Sequence, residues 1–370
     1  MASLIRILLF TSFFTIFHYG LLQAQTRSNL LYPGGPDPRG PAELTLCGQN
    51  LQNFGTLKDF LTRNRGQSAQ AFFKKKEALA KRIASQNCDV IAVQEVLGRD
   101  EVTSIEALQG LADQIRIKNN RFYQPIVGPS NDPFLRLGYL VAIDRVEVLN
   151  KVSYYKVELP KITEDQKPRL FTRGPLELQI KIKAKGQSYS KVMTLINYHF
   201  KSKAASGKDL TQTGWESFRM EMSEALRRIV ENRHAESFKS ADSLLVLLGD
   251  RNSHYDAASA KILEGVLRLS NFQTEAACRL SKRGVPLCHP GVAGPQILFS
   301  LLTLDPQTKV LPGTHQYKKV YSWLDEISAP AETLKFAKAS FDSEGDYDSG
   351  IVYETDEASD HAMTYVRFNW

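Results

Sequence analysis

An α/β layered domain is the fold class this sequence predicts, on three observations. Short apolar runs recur through the body of the chain, several of them apolar at consecutive positions. Longer stretches with apolar residues at helical spacing lie between them. No internal repeat and no Pro/Gly/Ser-rich linker divides that body, which argues for one large core.

The runs Leu44–Cys47, Val90–Val93, Leu140–Ile143, Leu176–Ile182, Met193–Asn197 and Leu244–Leu248 are the expected strands, with a last one over Ala362–Phe368. Ser68–Gln86 reads as a helix. Ser68 is its N-cap, and Phe72, Leu79 and Ile83 share one face. Thr213–Asn232 reads as a second helix with Trp215, Phe218, Met222, Leu226 and Ile229 at helical spacing, a pattern that belongs to core packing.

The ends of the chain read differently. Met1–Ala24 carries one base, Arg6, then the apolar run Ile7–Phe17, and closes on a small residue. That is the plan of a signal peptide cleaved near Ala24, with an uncleaved anchor as the competing reading. Residues 25–42, including Tyr32–Pro41 (YPGGPDPRGP), read as a flexible lead-in, and 43–370 as a single catalytic domain. The expectation is a secreted or periplasmic monomer with no stable membrane association. The formal charge of +7 tilts the choice of partner toward a polyanion.

Four cysteines suit an oxidising compartment. Cys278 and Cys288 bracket a short Pro/Gly-punctuated loop and form the natural first pair. Cys47 and Cys88 form a second only if their strands are neighbours; two buried thiols are the alternative. Asp342–Glu357 holds seven acids and no base. Its spacing departs from the EF-hand pattern, so a solvated acidic loop is preferred over a calcium site.

Polar residues terminate the strongest strands at five places: Asn50, Glu95, His199, Asp250 with Asn252, and Asp360-His361. One such residue is an ordinary turn or cap. Five ends bearing only Asn, Glu, His and Asp match the needs of water attack on a phosphodiester. A hard cation wants carboxylate oxygens, the water wants a base and an orienting acceptor, and the phosphoryl oxygens want donors. Zinc spacing, a Walker loop, a Gly-x-Gly-x-x-Gly turn and a Gly-x-Ser-x-Gly elbow are absent from the sequence.

Taken in order, Gln49-Asn50-Leu51, Asp89–Glu95, Asn197–Lys203, Gly249–Asn252, Trp323–Ile327 and Ser359-Asp360-His361 resemble the endonuclease/exonuclease/phosphatase superfamily, in its deoxyribonuclease-I-like, secreted bacterial-type nuclease branch. The resemblance spans roughly Leu44 to Phe368. It implies a four-layer sandwich of two packed mixed β-sheets flanked by α-helices, with the site at one edge. It implies Glu95 as the metal ligand with Asn50 and Asp360 near the same cation, magnesium first, calcium or manganese as alternatives. It implies His361 as general base oriented by Asp325, Asp250 positioning the water, Asn252 holding a phosphoryl oxygen, and His199 stabilising the pentacovalent phosphorus or assisting the leaving oxygen.

Three positions depart from individual branches. Leu137 stands where the pancreatic deoxyribonuclease branch has a glutamate behind its equivalent of His199. Leu97 replaces that branch's DNA-contacting arginine. Gln52 replaces an aspartate of the abasic-site repair branch. For the substrate, Lys201 and Lys203 beside His199 favour nucleic acid, with Arg63, Arg65 and Lys74–Lys76 able to extend a basic footprint. A sphingomyelinase-like or inositol-phosphate phosphoesterase is the alternative. Its membrane-docking element would be Ile297–Leu304 (ILFSLLTL), more simply read as a buried strand. A catalytically inactive binding module is the third reading, disfavoured by the complete polar set.

Overall fold

The computed structural model describes residues 43–182, 191–203, 213–273, 278–288, 296–302, 312–317, 319–339, 347–353 and 358–369. The expected leader, the lead-in and most of the acidic stretch Asp342–Glu357 lie outside these. Among the described residues there are two six-stranded mixed sheets and one two-stranded ribbon. The first sheet runs β13-β14-β1-β2-β4-β3, with β13 at Ser349–Val352 and β3 at Tyr123–Val127 on its edges, and the second runs β5-β6-β7-β8-β12-β9, with β5 at Val146–Ser153 on its edge. In the first, β1 (Glu43–Phe54) and β2 (Val90–Leu97) are parallel; in the second, β7 (Val192–His199) and β8 (Leu244–Asp250) are. The other partners of these strands are antiparallel: β4 (Leu135–Ala142) and β14 (Met363–Asn369) in the first sheet, β6 (Leu176–Ile182) and β12 (Asp325–Pro330) in the second.

Strand alternation builds the layers. Leu44, Leu46, Val90 and Ala92 of the first sheet meet Met193, Leu195, Leu244, Val246, Leu248 and Ile327 of the second in one core between the sheets. The intervening residues face outward. Cys47, Ile91 and Val93 pack in one cluster with Phe60 of α1 (Leu57–Arg63), Phe72, Leu79 and Ile83 of α2 (Ala69–Ser85), and Leu108 and Leu111 of α3 (Glu101–Asn119). Ile196, Tyr198, Leu245 and Leu247 pack with Phe218, Met222, Leu226 and Ile229 of α4 (Glu216–Arg233). This is the helix–sheet–sheet–helix sandwich expected. Gly249 is required where β7 and β8 run side by side, because a Cβ there would lie 2.1 Å from the Tyr198 carbonyl oxygen.

Several expectations are adjusted at their edges. Ser68 caps α2 as expected, accepting from the Ala71 amide. β1 and β2 run past Asn50 and Glu95, which therefore lie within strands and not after them. Ile143 lies outside β4 and is exposed. Lys75 departs from the surface footprint: it is buried, its Nζ donating to the Ala358 carbonyl at 2.8 Å and to Gln52 Oε1 at 3.2 Å. Ile297–Leu304 contributes a three-residue strand, β9 (Leu298–Ser300), with Leu298, Leu301 and Leu302 buried and Phe299 exposed; Thr303 and Leu304 are outside the described residues. No helix among the described residues is long and apolar enough to cross a membrane.

Both cysteine pairs form. Cys47 joins Cys88 with Cα atoms 6.0 Å apart, which the parallel pairing of β1 with β2 brings about, and Cys278 joins Cys288. Peptide mapping without reduction is expected to recover both linked species. Replacing Cys47 and Cys88 by alanine should cost roughly 2–4 kcal/mol, measured by urea unfolding, because the bridge closes a long loop. An unchanged midpoint would show that the bridge does not form.

Candidate active site

The row of side chains that fills the space between the sheets turns polar at one end. Leu44, Leu46 and Gly48 of β1 lead to Asn50; Met193 and Leu195 of β7 lead to Asn197 and His199; Leu244, Val246 and Leu248 of β8 lead to Asp250. Directly opposite Asp250, β12 begins at Asp325. Strand parity alone therefore gathers Asn50, His199, Asp250 and Asp325.

Glu95 has the wrong parity. Val90 and Ala92 face the second sheet, so Glu95 should point toward the helices with Ile91 and Val93. Two irregularities correct this. β2 shifts register against β4 between Val93 and Val96, and β1 shifts against β2 between Asn50 and Phe54. Glu95 itself sits in the left-handed region with φ 59°, as do Gln52 and Asn53. The turned carboxylate accepts from Asn50 Nδ2 at 3.3 Å and from the Asn53 amide at 3.0 Å, and its Oε1 lies 3.9 Å from His199 Nε2.

Asp250 is the hub. Asn50 Nδ2 donates to its Oδ2 at 3.1 Å, and Asn252 donates twice, from the backbone at 2.7 Å and from Nδ2 at 3.1 Å. His199 Nε2 lies 3.3 Å and His361 Nε2 3.9 Å from the same Oδ2. Burial pushes Asp250 up to about 7, with Asp325 adding to the effect and His361 opposing it. His361 Nδ1 donates to Asp325 Oδ2 at 2.8 Å. Burial works against a charged His361, yet Asp325, Asp250 and Asp360 outweigh it and raise the imidazole to about 10. His199 goes the other way: burial, then Arg173, His361 and Lys201, hold it well below the ordinary histidine value. Its Nδ1 has no hydrogen-bond partner, and Leu137, the residue standing in for a supporting glutamate, is buried in the core between the sheets.

The remaining expected residues divide. Asp360 stands near the imidazoles, its carboxylate 3.8 Å from His315 Nε2 and 4.0 Å from His361 Nε2. Lys201 places its Nζ 5.2 Å from the Trp215 ring, while Lys203 faces His254 at 3.1 Å. Burial and then Arg219 lower Lys203 to about 8. Three residues at the site, Arg173, His315 and Thr314, were not singled out from sequence, and Lys75 was read only as part of a surface footprint. Arg173 is buried, donates to the Phe200 carbonyl at 3.0 Å, and is within electrostatic reach of Glu95 and Asp250. Lys75 is within reach of Asp360 and Glu95. His315 packs its ring 4.6 Å from that of His361. Thr314 Oγ1 accepts from the Asp325 amide at 2.9 Å while its carbonyl accepts from Ala362, which ties Asp325 to the chain carrying His361. Ordinary-looking Thr, Arg and Lys positions in loops and on a helix give no periodic signal.

A divalent cation fits the donor set. Glu95 offers carboxylate lone pairs beyond those its two donors occupy, and Asp360 Oδ1 is a shielded oxygen with no hydrogen-bond partner. Among the described residues, the His/Asp/Glu groups close enough to share one ion are His315–Asp360–His361 and Asp250–Asp325–His361. Glu95 belongs to neither, its close polar partner being Asn50.

No family model matches the chain, and no curated protein matches it. Solved structures do. The catalytic domain of human Nocturnin, with a bound sulfate, aligns over 90% of this chain and 95% of its own at 15% identity and a TM-score of 0.54. ANGEL2, a 2′,3′-cyclic phosphatase in complex with adenosine-2′,3′-vanadate, aligns over 89% and 96% at 14% identity and 0.52. An endonuclease/exonuclease/phosphatase family protein from Bacteroides thetaiotaomicron aligns over 89% and 98% at 13% identity and 0.50. Likeness at these identities is one of architecture: the chain has the deoxyribonuclease-I-like sandwich fold that these structures share.

Proposed function

We propose that this chain is an exported, divalent-metal-dependent phosphodiesterase whose substrate is nucleic acid, DNA and/or RNA. The observation that carries the reading is the convergence on Asp250 of Asn50, Asn252, His199 and His361, with Asp325 holding His361 from behind. Asp325 fixes the imidazole so that Nε2 faces the site; a cation bound beside Asp360 would offset the carboxylates that hold His361 protonated in metal-free protein, and the ring, then neutral, takes a proton from water there, with Asp325 stabilising the imidazolium formed. Asp250 orients that water. Asn252 and His199 donate to phosphoryl oxygens, and Arg173 and Lys75 add fixed positive charge nearby. Glu95, with Asn50 and Asp360 beside it, would hold the cation, which would supply positive charge against that developing on the phosphoryl group. Export is supported by the two disulfides and by the leader-like first 24 residues, and the domain proper is 43–370.

One observation favours a lipid-headgroup phosphodiesterase as the second reading. The ribbon of β10 (His315–Tyr317) and β11 (Val320–Ser322), joined to the site through His315, exposes Tyr317, Val320 and Tyr321. Charge and the His199–Lys203 segment keep nucleic acid ahead of it.

Mature protein incubated with plasmid, single-stranded DNA, RNA and sphingomyelin should cleave nucleic acid with magnesium and stop with chelator. His361→Ala and Asp325→Asn should each lower kcat by roughly 10²–10⁴-fold. Phosphocholine release without nicking would replace the nuclease reading with the lipid one, and activity that survives chelation would end the metal mechanism.

The raised value of His361 also predicts a stability profile for metal-free protein. An imidazole whose folded-state value lies above its ordinary 6.5 stabilises the fold below 6.5 and loses that contribution as pH rises through about 10. Asp250, raised from 3.8 to about 7, acts in the same direction but has lost its contribution by about pH 7, so the fall above that belongs to His361. The thermal midpoint should therefore fall from pH 7 to pH 10, less steeply in Asp325→Asn. NMR showing His361 titrating near 6.5 in metal-free protein would contradict this.

A further inference from the structure

Next to Asn252 the chain opens onto a cavity of about 600 Å³. One wall is the segment from Ser253 to Ala257, which leads into α5 (Ala258–Glu264); another is the loop closed by the Cys278–Cys288 bridge. Charged side chains dominate it: Lys203, Arg219, Lys282 and Arg283, with Glu216 and Asp256 as the acids.

The two buried charges in the wall satisfy each other. Glu216 Oε2 accepts from Arg219 Nε at 3.0 Å and Nη2 at 2.7 Å, and its Oε1 accepts from the Ser259 amide at 2.9 Å. Arg219 Nη1 donates to the carbonyls of Lys201, Ser202 and Lys203, which braces the segment that follows His199. That leaves Lys203, Lys282 and Arg283 as cations against Asp256 alone. Lys282 and Arg283 are exposed and form no ion pair among the described residues. Ser253, 2% exposed and also in the wall, has a hydroxyl with no hydrogen-bond partner. An excess of cations and an unused hydroxyl around a polar cavity describe a place for an anion.

Position says which anion. Ser253 directly follows Asn252, and Lys203 lies within electrostatic reach of Asp250. The cavity thus adjoins the place where the scissile phosphate would sit, on the side of the β8–α5 connection. We propose that it is a second phosphate subsite, which takes the phosphate next to the scissile one in a nucleic acid strand, with Lys282 and Arg283 delivered by the disulfide-closed loop. The proposal rests on the nuclease reading of the neighbouring site and sharpens it: the preferred substrate carries two phosphates in sequence. A headgroup ester with a single phosphate leaves the cavity unused.

The test compares TpT, with one phosphate, TpTpT, with two diesters, and pTpT, with a terminal monoester. With magnesium, kcat/KM for TpTpT should exceed that for TpT by roughly tenfold, chiefly through KM. The double substitution Lys282→Gln/Arg283→Gln, on exposed side chains, should bring the ratio near one. It should also make the salt dependence of single-stranded oligonucleotide cleavage shallower by roughly 1.4 log units per log unit of salt. Titration calorimetry of His361→Ala with the same ligands should show the same preference in Kd, so the subsite is tested even if no substrate turns over. A TpTpT preference shared by pTpT supports a subsite for phosphate of either ester state. A gain with pTpT alone would overturn the strand assignment, and a wild-type ratio near one, or a ratio unmoved by the double substitution, would overturn the subsite. Loss of all cleavage with the Kd preference intact would count against the nuclease reading and leave the subsite standing.

Discussion

Asn197 joins the two sheets at the point where their shared core gives way to the site. Its Nδ2 donates to the Val93 carbonyl at 3.0 Å and the Gly138 carbonyl at 2.9 Å, and its Oδ1 accepts from Gln94 Nε2 at 2.8 Å. All four residues are completely or almost completely shielded from water or lie within buried strand. The apolar core behind them, Leu46, Ala92, Leu195 and Val246 among others, supplies most of the attraction between the sheets but little direction, since burial of apolar area is insensitive to small sliding. A buried amide that loses its partners costs about 1–3 kcal/mol. The Asn197 bridge therefore penalises a relative slip that the apolar layer would tolerate. That matters because the site is split: Asn50, Glu95 and His361 come with the first sheet, His199, Asp250 and Asp325 with the second. The Asn50–Asp250 and His361–Asp325 hydrogen bonds cross the same gap and depend on the same alignment.

The second constraint is strain at the mouth of that gap. Of the seven non-glycine residues with positive φ among those described, Gln52, Asn53, Glu95 and Asn252 all border the site. Such conformations cost about 1–3 kcal/mol each and persist where surroundings over-determine them. Here the surroundings are visible: Asn50 Oδ1 accepts from the Gln52 amide, Glu95 from the Asn53 amide, and Asp250 from the Asn252 amide. Each bent residue is held by a polar side chain of the site itself, so the bulges and the constellation stabilise one another. Ser359 adds a further tie, donating to the Asn50 carbonyl at 2.8 Å and accepting from the His361 amide at 3.1 Å.

Much of this was legible in the sequence, for reasons that also explain what was not. β7 and β8 announce themselves because consecutive apolar residues are buried on both faces, and their polar termini fall on the right face by alternation. Ser68 and the α2 periodicity fix a helix through local chemistry. Asn50 and Glu95, expected just beyond their strands, lie inside them because pairing continues through the bulges, and a bulge of Leu51-Gln52-Asn53 against Glu95 has no turn signature of its own. Lys75 is indistinguishable in sequence from Lys74 and Lys76; only the path of Ala358 over α2 buries it. The cavity beyond Asn252 requires the 278–288 loop to return to Lys203, a contact between segments some 75 residues apart that no local pattern encodes.

The departures from known branches acquire a physical meaning in this frame. With Leu137 and no carboxylate behind Nδ1, the acids near His199, Asp250 and Glu95, both lie on the Nε2 side, and burial, with Arg173 next, holds the ring neutral. A neutral ring can donate one hydrogen bond toward a phosphoryl oxygen but brings no charge. In the proposed reaction the positive potential at a pentacovalent phosphate would then come from Arg173 and Lys75 around the carboxylates, from a cation held at Glu95, and from Lys203, Lys282 and Arg283 outside Asn252. On the proposed reading, charge that a supported histidine would place at the scissile phosphate would lie further out, beside its neighbour, and such a site would gain most from a substrate that offers a second phosphate.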